Sequence, residues 1–233
     1  MPGPDTLLPF LLTAVAAYII GSVSFSIIFT RIFAKTDVRQ HGSGNAGTTN
    51  VLRTAGKLAA LLTFFGDFIK CVAAICFGLF IFMLFGGLSA NAGFIQNLFG
   101  SPNVEVIFIK FIAGLFCMAG HIYPIFFGFR GGKGVATTTA LVVMISWQVF
   151  LIGIGIFIVM MLITKIVSLS VLTAAIALPV ATFLITLTTK GGSLYVVANT
   201  LLAAAMSAIL FITHRANIKR LIAGNEQRMF KKA

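Results

Sequence analysis

TTTALVVMISWQVFLIGIGIFIVMMLITK, residues 137–165, decides how this chain is threaded. It is apolar from Thr137 to Thr164, whereas a single membrane helix needs only about 20 such residues. Read as one helix, it carries Lys165 outside. After two more spans it also leaves outside the basic tail, where Arg215, Lys219, Arg220, Arg228, Lys231 and Lys232 face only Glu226. That violates the rule that cytoplasmic segments collect Lys and Arg. A turn near Ser146, Trp147 and Gln148 removes the conflict. Two short helices result, Lys165 lies inside, residues 169–188 go out, Lys190 lies outside, and residues 194–213 bring the tail back inside. The first of the pair, about 12 residues, reaches only about 18 Å at 1.5 Å per residue. It is expected in a thinned or protein-shielded part of the bilayer.

Composition supports a membrane reading throughout. The 233 residues are 59% hydrophobic and 9% charged, with a mean hydropathy of +1.06; soluble domains are usually about 45–50% apolar. Strand-like alternation is absent, so a helical bundle satisfies the backbone in lipid. The expected fold is an all-α integral membrane protein, a single polytopic domain over residues 1–233. It has seven transmembrane helices, some of them short, with the N-terminus outside and the C-terminus cytoplasmic. The net charge of +12 would suggest nucleic acid in a soluble protein. Here it is concentrated where topology wants it: Arg31, Lys35, Arg39, Arg53 and Lys57 stand against Asp37 alone. Cys71, Cys76 and Cys117 fall in apolar segments and read as small buried hydrophobes.

Along the chain, residues 7–30 make the first span and 31–56 an inner loop. The block Leu58–Leu88 contains Asp67 and Lys70 on one helix face, either an ion pair steering packing or part of a site. Residues 86–104, rich in Gly, Asn and Ser and lacking Lys and Arg, read as an external loop. A third span runs from about Val106 to Phe127, with Lys110 snorkelling outward and Pro124 breaking the last turn.

Two polar stretches stand out at the inner face: HGSGNAGTTNVLR at 41–53 and GFRGGKGV at 128–135. Glycines let backbone N–H groups line an anion, and Arg and Lys add charge-assisted bonds to phosphate oxygens. Topology brings both to the side that also holds KIVSLS at 165–170 and HRANIKRLIAGNEQR at 214–228, so the expected ligand is phosphorylated. Neither loop has a nucleotide-binding spacing. No nucleophile sits in a GxSxG setting, and three His with five acidic residues make a metal cluster unexpected. Direct transfer without a covalent enzyme intermediate is the simplest chemistry left. Two other classes remain open from the residues alone: a transporter of phosphate or an organophosphate, and a scaffold that binds anionic lipid.

GSGNAGTTNVLR, DFIK, GHIYPIFFGFRGGKGVAT, KIVSLS and HRANIKRLIAGNE, in this order, resemble the bacterial acyl-phosphate:glycerol-3-phosphate acyltransferases, the PlsY family. The likeness runs from about Gly21 to Glu226. It implies an inner-membrane enzyme that moves a fatty acyl group from acyl phosphate to the 1-hydroxyl of sn-glycerol 3-phosphate. The products would be lysophosphatidic acid and phosphate, the first acylation of phospholipid synthesis. The implied partners are those two substrates and the bilayer; no cofactor, metal, nucleic acid or obligate protein partner is expected. Ser43, Arg53, Lys133 and His214 are implied holders of the acceptor phosphate, and Asn217 of the glycerol hydroxyls. Asn45, Gly47, Thr49 and Asn50 fall where the loop should meet the acyl phosphate. Gly42, Gly44, Gly131, Gly132, Gly134, His121 and Ser168 complete the implied substrate contacts. Ser168 and Ser170 could instead cap a helix, and His121 could bond a carbonyl freed by Pro124. Arg130, Lys219 and Arg220 read as headgroup or topology charges. Two positions depart from the family pattern: Ser24 stands where proline is expected, and Cys71 follows Lys70 where glycine is usual.

Overall fold

The computed structural model describes residues 4–85, 104–188 and 192–229. The external-loop reading of residues 86–103 and the placements of Lys190, Lys231 and Lys232 lie outside the described residues. Nine α-helices are described, joined by turns and two short 3-10 segments, and no strand occurs among the described residues. They are α1 (Pro4–Gly21), α2 (Phe25–Ala34), α3 (Thr48–Leu84), α4 (Val104–Ile122), α5 (Val135–Ile145), α6 (Trp147–Thr164), α7 (Val167–Leu187), α8 (Gly192–Thr213) and α9 (Arg215–Ile222). Among the described residues, six stretches are long and apolar enough to cross a membrane: Leu7–Ala34, Thr48–Leu84, Glu105–Phe127, Trp147–Thr164, Val167–Leu187 and Gly192–Thr213.

The apolar run at 137–164 does divide. Ser146 has an extended backbone, and its hydroxyl accepts from Val149 N–H as the N-cap of α6, so the chain cannot continue the preceding helix. Helix α5 has 11 residues, too few to span alone, while the 18 residues of α6 suffice by length. The same residue separates two compact units. One holds α1 to α5 and the other holds α6 to α9.

In the first unit, α1 and α2 pack on α3, and α5 also packs against α3. Glycines set the approach of α1 and α4. A Cβ at Gly21 would stand 2.1 Å from Cys117 O, and one at Gly120 2.2 Å from Tyr18 O. Backbones that close leave no room for a side chain, the small-residue logic of membrane packing. In the second unit, α7 packs against both α6 and α8. Most of α6 is exposed, with 6% of its span buried, and its outward Leu151, Ile158, Leu162 and Ile163 suit a lipid-facing surface.

Two expectations are corrected and one is sharpened. The expected first span at 7–30 falls within the apolar stretch Leu7–Ala34, and Ser22, Val23 and Ser24 interrupt it, with Ser24, extended, preceding α2. The next helix begins inside the supposed inner loop, at Thr48, and breaks at Gly56, whose φ of +86° only glycine adopts readily. Lys110 does not snorkel. It is 2% exposed, and its Nζ donates to Met144 O at 3.0 Å. That carbonyl belongs to the last turn of α5, where no following residue supplies a helical N–H. A buried ammonium meeting an orphan carbonyl satisfies both.

Candidate active site

In the first unit, both glycine-rich stretches end at helix N-termini. HGSGNAG leads into α3 at Thr48, and GFRGGKG leads into α5 at Val135. Unsatisfied N–H groups and the helix dipole make such ends favourable for anions.

Asn50 builds the first loop. It is 2% exposed. Its Oδ1 accepts from Ser43 N–H at 3.1 Å, while its Nδ2 lies 2.9 Å from Val38 O, 2.9 Å from His41 O and 3.1 Å from Asn45 O. Glycine is required at 42, where φ is +58° and a Cβ would stand 2.2 Å from Asn50 Oδ1. Asn50 therefore spends its amide on folding the loop. Ser43 and Arg53 are exposed, and Asn45, Gly47 and Thr49 are half-buried.

A second brace crosses from this loop to the other. Asp37 Oδ1 accepts from Arg39 N–H and Nε at 3.0 Å each, Asp37 Oδ2 accepts from Nη2 at 2.8 Å, and Arg39 Nη1 donates to Phe127 O at 2.7 Å. The side-chain bonds from Arg39 outweigh the opposing effect of burial and hold the Asp37 carboxyl down at about 2, with Arg31 contributing charge.

The second loop folds back on the end of α4. Pro124 follows the last helical residue, Ile122, and the carbonyls it strands are taken by the loop: Gly131 N–H donates to Ile122 O at 3.0 Å and Gly132 N–H to His121 O at 3.1 Å. A Cβ at Gly131 would stand 2.0 Å from His121 O. These two glycines thus permit a close approach to a helix end, and their N–H groups are occupied there. Gly134 (φ +86°) precedes α5 with no space beside Met118, and Lys133 between them is half-buried.

Beneath the loops lies a buried cluster. Lys70 Nζ reaches Asp67 Oδ1 at 2.7 Å, Val23 O at 2.6 Å and His121 Nδ1 at 3.2 Å; His121 Nδ1 is also 3.4 Å from Asp67 Oδ1. All three side chains are at most 6% exposed. The expected Asp67–Lys70 ion pair is present. His121 joins it with its ring, and its carbonyl, not its ring, takes part in closing the helix end.

The second unit has its own cluster. Glu226 Oε1 accepts from Ser168 Oγ at 2.8 Å and from Asn217 Nδ2, and Glu226 Oε2 pairs with Arg220 Nε at 2.6 Å. Burial raises this carboxyl, and the bonds from Asn217, Arg220 and Ser168 outweigh it, leaving Glu226 below its ordinary value. His214, 3% exposed, precedes α9, with Nδ1 2.8 Å from Leu210 O. A carbonyl only accepts, so Nδ1 carries the proton. The capping reading of the two serines is corrected: Ile166 is the N-cap of α7, Ser168 bridges to Glu226, and Ser170 Oγ donates back to Ile166 O.

The structure thus joins Ser43, Asn45 and Asn50 in one braced loop beside Gly131, Gly132 and His121, and it joins Ser168 to Asn217. Sequence reasoning treated Glu226 and Asp37 as counter-charges and Arg39 as a topology residue. Scarcity was the available signal: of only five acidic residues, Asp37, Asp67 and Glu226 each organise a cluster. No group of three metal-ligating side chains occurs among the described residues.

The fold is that of a polytopic helical membrane protein with glycine-lined helix N-termini. Residues 11–224 match the sequence profile of the family described as glycerol-3-phosphate acyltransferase. The glycerol-3-phosphate acyltransferase of Clostridioides difficile (strain 630) is 35% identical over 223 residues, covering 96% of this chain and 97% of its own. That of Thioalkalivibrio sulfidiphilus (strain HL-EbGR7) is 38% identical, covering 93% and 92%. The crystal structure of PlsY, an integral membrane glycerol 3-phosphate acyltransferase, superimposes in its glycerol 3-phosphate form with a TM-score of 0.74 at 33% identity, covering 95% of this chain and 96% of that one. Its lysophosphatidic acid form gives 0.71 at 33% identity, covering 94% of each. The chain belongs to the glycerol-3-phosphate acyltransferase family, and it is an acyltransferase of the membrane. The transporter and lipid-scaffold readings are set aside.

Proposed function

We propose that this enzyme transfers a fatty acyl group directly from acyl phosphate to the 1-hydroxyl of sn-glycerol 3-phosphate. The carrying observation is the pairing, in one unit, of two glycine-rich loops that each open into a helix N-terminus and touch through Arg39 and Phe127. Two neighbouring anion cradles suit a reaction whose donor and acceptor are both phosphates.

Ser43, Arg53 and Lys133 hold the acceptor phosphate; His214 and Asn217, in the second unit, keep the substrate roles that the family likeness implies for them. Asn45, Gly47 and Thr49 meet the acyl phosphate from a loop that Asn50 keeps in shape. The acceptor hydroxyl oxygen attacks the acyl carbonyl carbon, and N–H groups stabilise the developing oxyanion. A new ester C–O bond forms as the carbonyl carbon's bond to the phosphate oxygen breaks, and inorganic phosphate leaves. The hydroxyl proton passes to a phosphate oxygen. A mixed anhydride already carries a good leaving group, so holding the reactants in line supplies much of the acceleration. Supporting this reading are the glycerol 3-phosphate and lysophosphatidic acid forms of the related PlsY. The chain would sit in the bacterial cytoplasmic membrane with seven crossings, its N-terminus outside and its site and C-terminus at the cytoplasmic face.

Arg53→Ala and Lys133→Ala should each raise KM for glycerol 3-phosphate roughly tenfold or more, as expected for a lost charge-assisted phosphate contact. Lys219→Ala, on exposed α9 surface, should stay near wild type. Equal losses in all three would point to a general surface-charge effect and overturn the assignment.

A further inference from the structure

Lys70 has three donors and no acceptor, and the structure gives it three neighbours: Val23 O at 2.6 Å, Asp67 Oδ1 at 2.7 Å and His121 Nδ1 at 3.2 Å. Val23 O is available because the chain breaks between α1 and α2. Asp67 supplies the counter-charge that a buried ammonium needs. The third direction is the informative one. His121 Nδ1 also lies 3.4 Å from Asp67 Oδ1, a carboxylate to which a ring N–H could donate. The shorter contact is with the ammonium, which can only donate, so Nδ1 takes the acceptor role and the ring proton belongs on Nε2.

The position of Nε2 places that edge of the ring between the two loops. A Cβ on Gly132 would stand 2.1 Å from His121 Nε2 and 2.8 Å from Ala46 O. Ala46 is in the GNAG turn of the first loop and Gly132 in the GGKG turn of the second. The ring therefore ends where the two loops meet, with its far edge filling the space a side chain at 132 would need.

We propose that His121 is a positioning residue for the acyl transfer. Lys70 and Asp67 fix it as the Nε2–H tautomer, and its N–H edge sets the spacing of the two glycine loops. This rests on the reading that the loops hold the two phosphate substrates. If each loop binds its own anion, loss of the spacer leaves binding largely intact and spoils alignment, so kcat falls while both KM values hold.

Glutamine and asparagine at 121 separate this from a packing role. A Gln amide N–H reaches the Nε2 position, whereas Asn reaches only the Nδ1 position. His121→Gln should retain kcat within about threefold, and His121→Asn should lose roughly 100-fold, as misplacement near 1 Å can cost, with KM values within about threefold in both. Equal kcat losses, or a loss carried by KM, overturn the proposal. The tautomer is read separately by 15N NMR of histidine-labelled wild-type protein in detergent micelles, with His121→Gln identifying the signal. An Nε2–H pattern for His121 is expected; an Nδ1–H or imidazolium pattern overturns the proposal without any variant having to fold. Because this spectrum needs no substrate, it stands apart from the donor reading. Failure of wild-type protein to turn over acyl phosphate would sink that reading and leave the tautomer result in place.

Discussion

His121 and His214 both close a long membrane helix, are both buried, and hold their protons on opposite nitrogens. His121 takes its orientation from a charged cluster assembled from two other parts of the chain: Lys70 and Asp67 on α3, and Val23 at the α1–α2 break. His214 takes its orientation from Leu210 O, one turn back on its own helix. The first arrangement exists only when the unit is folded, whereas the second comes with any well-formed end of α8. The same contrast holds around them. The first unit makes its site from backbone, with glycines pressed against helix ends and Asn50 bracing the turn. The second makes its cluster from side chains gathered on Glu226.

The comparison can be broken most severely at Lys70. Lys70→Met leaves Asp67 buried without its cation, and removing one partner of a buried pair typically costs about 3–5 kcal/mol. Thermal unfolding should show that loss, whereas His214→Gln should leave the melting temperature nearly unchanged. Next comes Asn50→Ala, which orphans Ser43 N–H and removes the side-chain donor from three carbonyls that keep only their backbone N–H partners. A buried polar group left unsatisfied costs about 1–3 kcal/mol, and protease cleavage within 41–47 should rise with it. Glu226→Gln should be milder in stability, because the amide can still accept from Ser168, but it loses the Arg220 ion pair. A KM change for glycerol 3-phosphate exceeding any change in melting temperature would tie Glu226 to Asn217's proposed role. The smallest effect is acid sensitivity at Asp37. Its folded value lies near 2 against an ordinary 3.8, so the brace to Arg39 contributes fully above about pH 4 and is lost as pH falls through about 2. Asp37→Asn should flatten that part of the stability profile.

Much of this was legible in residue order. The break at Ser146 followed from charge placement alone, because a single helix at 137–164 put the basic tail on the wrong side. The anion loops were visible as glycine, amide and hydroxyl runs in an otherwise greasy chain, and the intramembrane Asp67 and Lys70 were visible as charges in need of partners. What stayed hidden depended on contacts far apart in sequence. Lys110 read as a snorkelling residue because nothing local shows that α5 ends with an open carbonyl beside it. The glycines at 131 and 132 read as anion contacts because their closeness to His121 O is a tertiary fact. Asn50 read as a ligand because a polar residue in a binding loop looks the same whether it faces the substrate or holds the loop. The interruption at Ser22–Ser24 was signalled only by Gly21 and by Ser24 standing where the family pattern has proline, since serines and a valine within an apolar run do not by themselves end a helix.

The most direct test of the account is a donor comparison. Purified wild-type enzyme is given glycerol 3-phosphate with either palmitoyl phosphate or palmitoyl coenzyme A, and lysophosphatidic acid is measured alongside released phosphate. The account predicts equimolar lysophosphatidic acid and phosphate from palmitoyl phosphate and no product from the thioester. Product from the thioester, or none from acyl phosphate with a folded preparation, would contradict it.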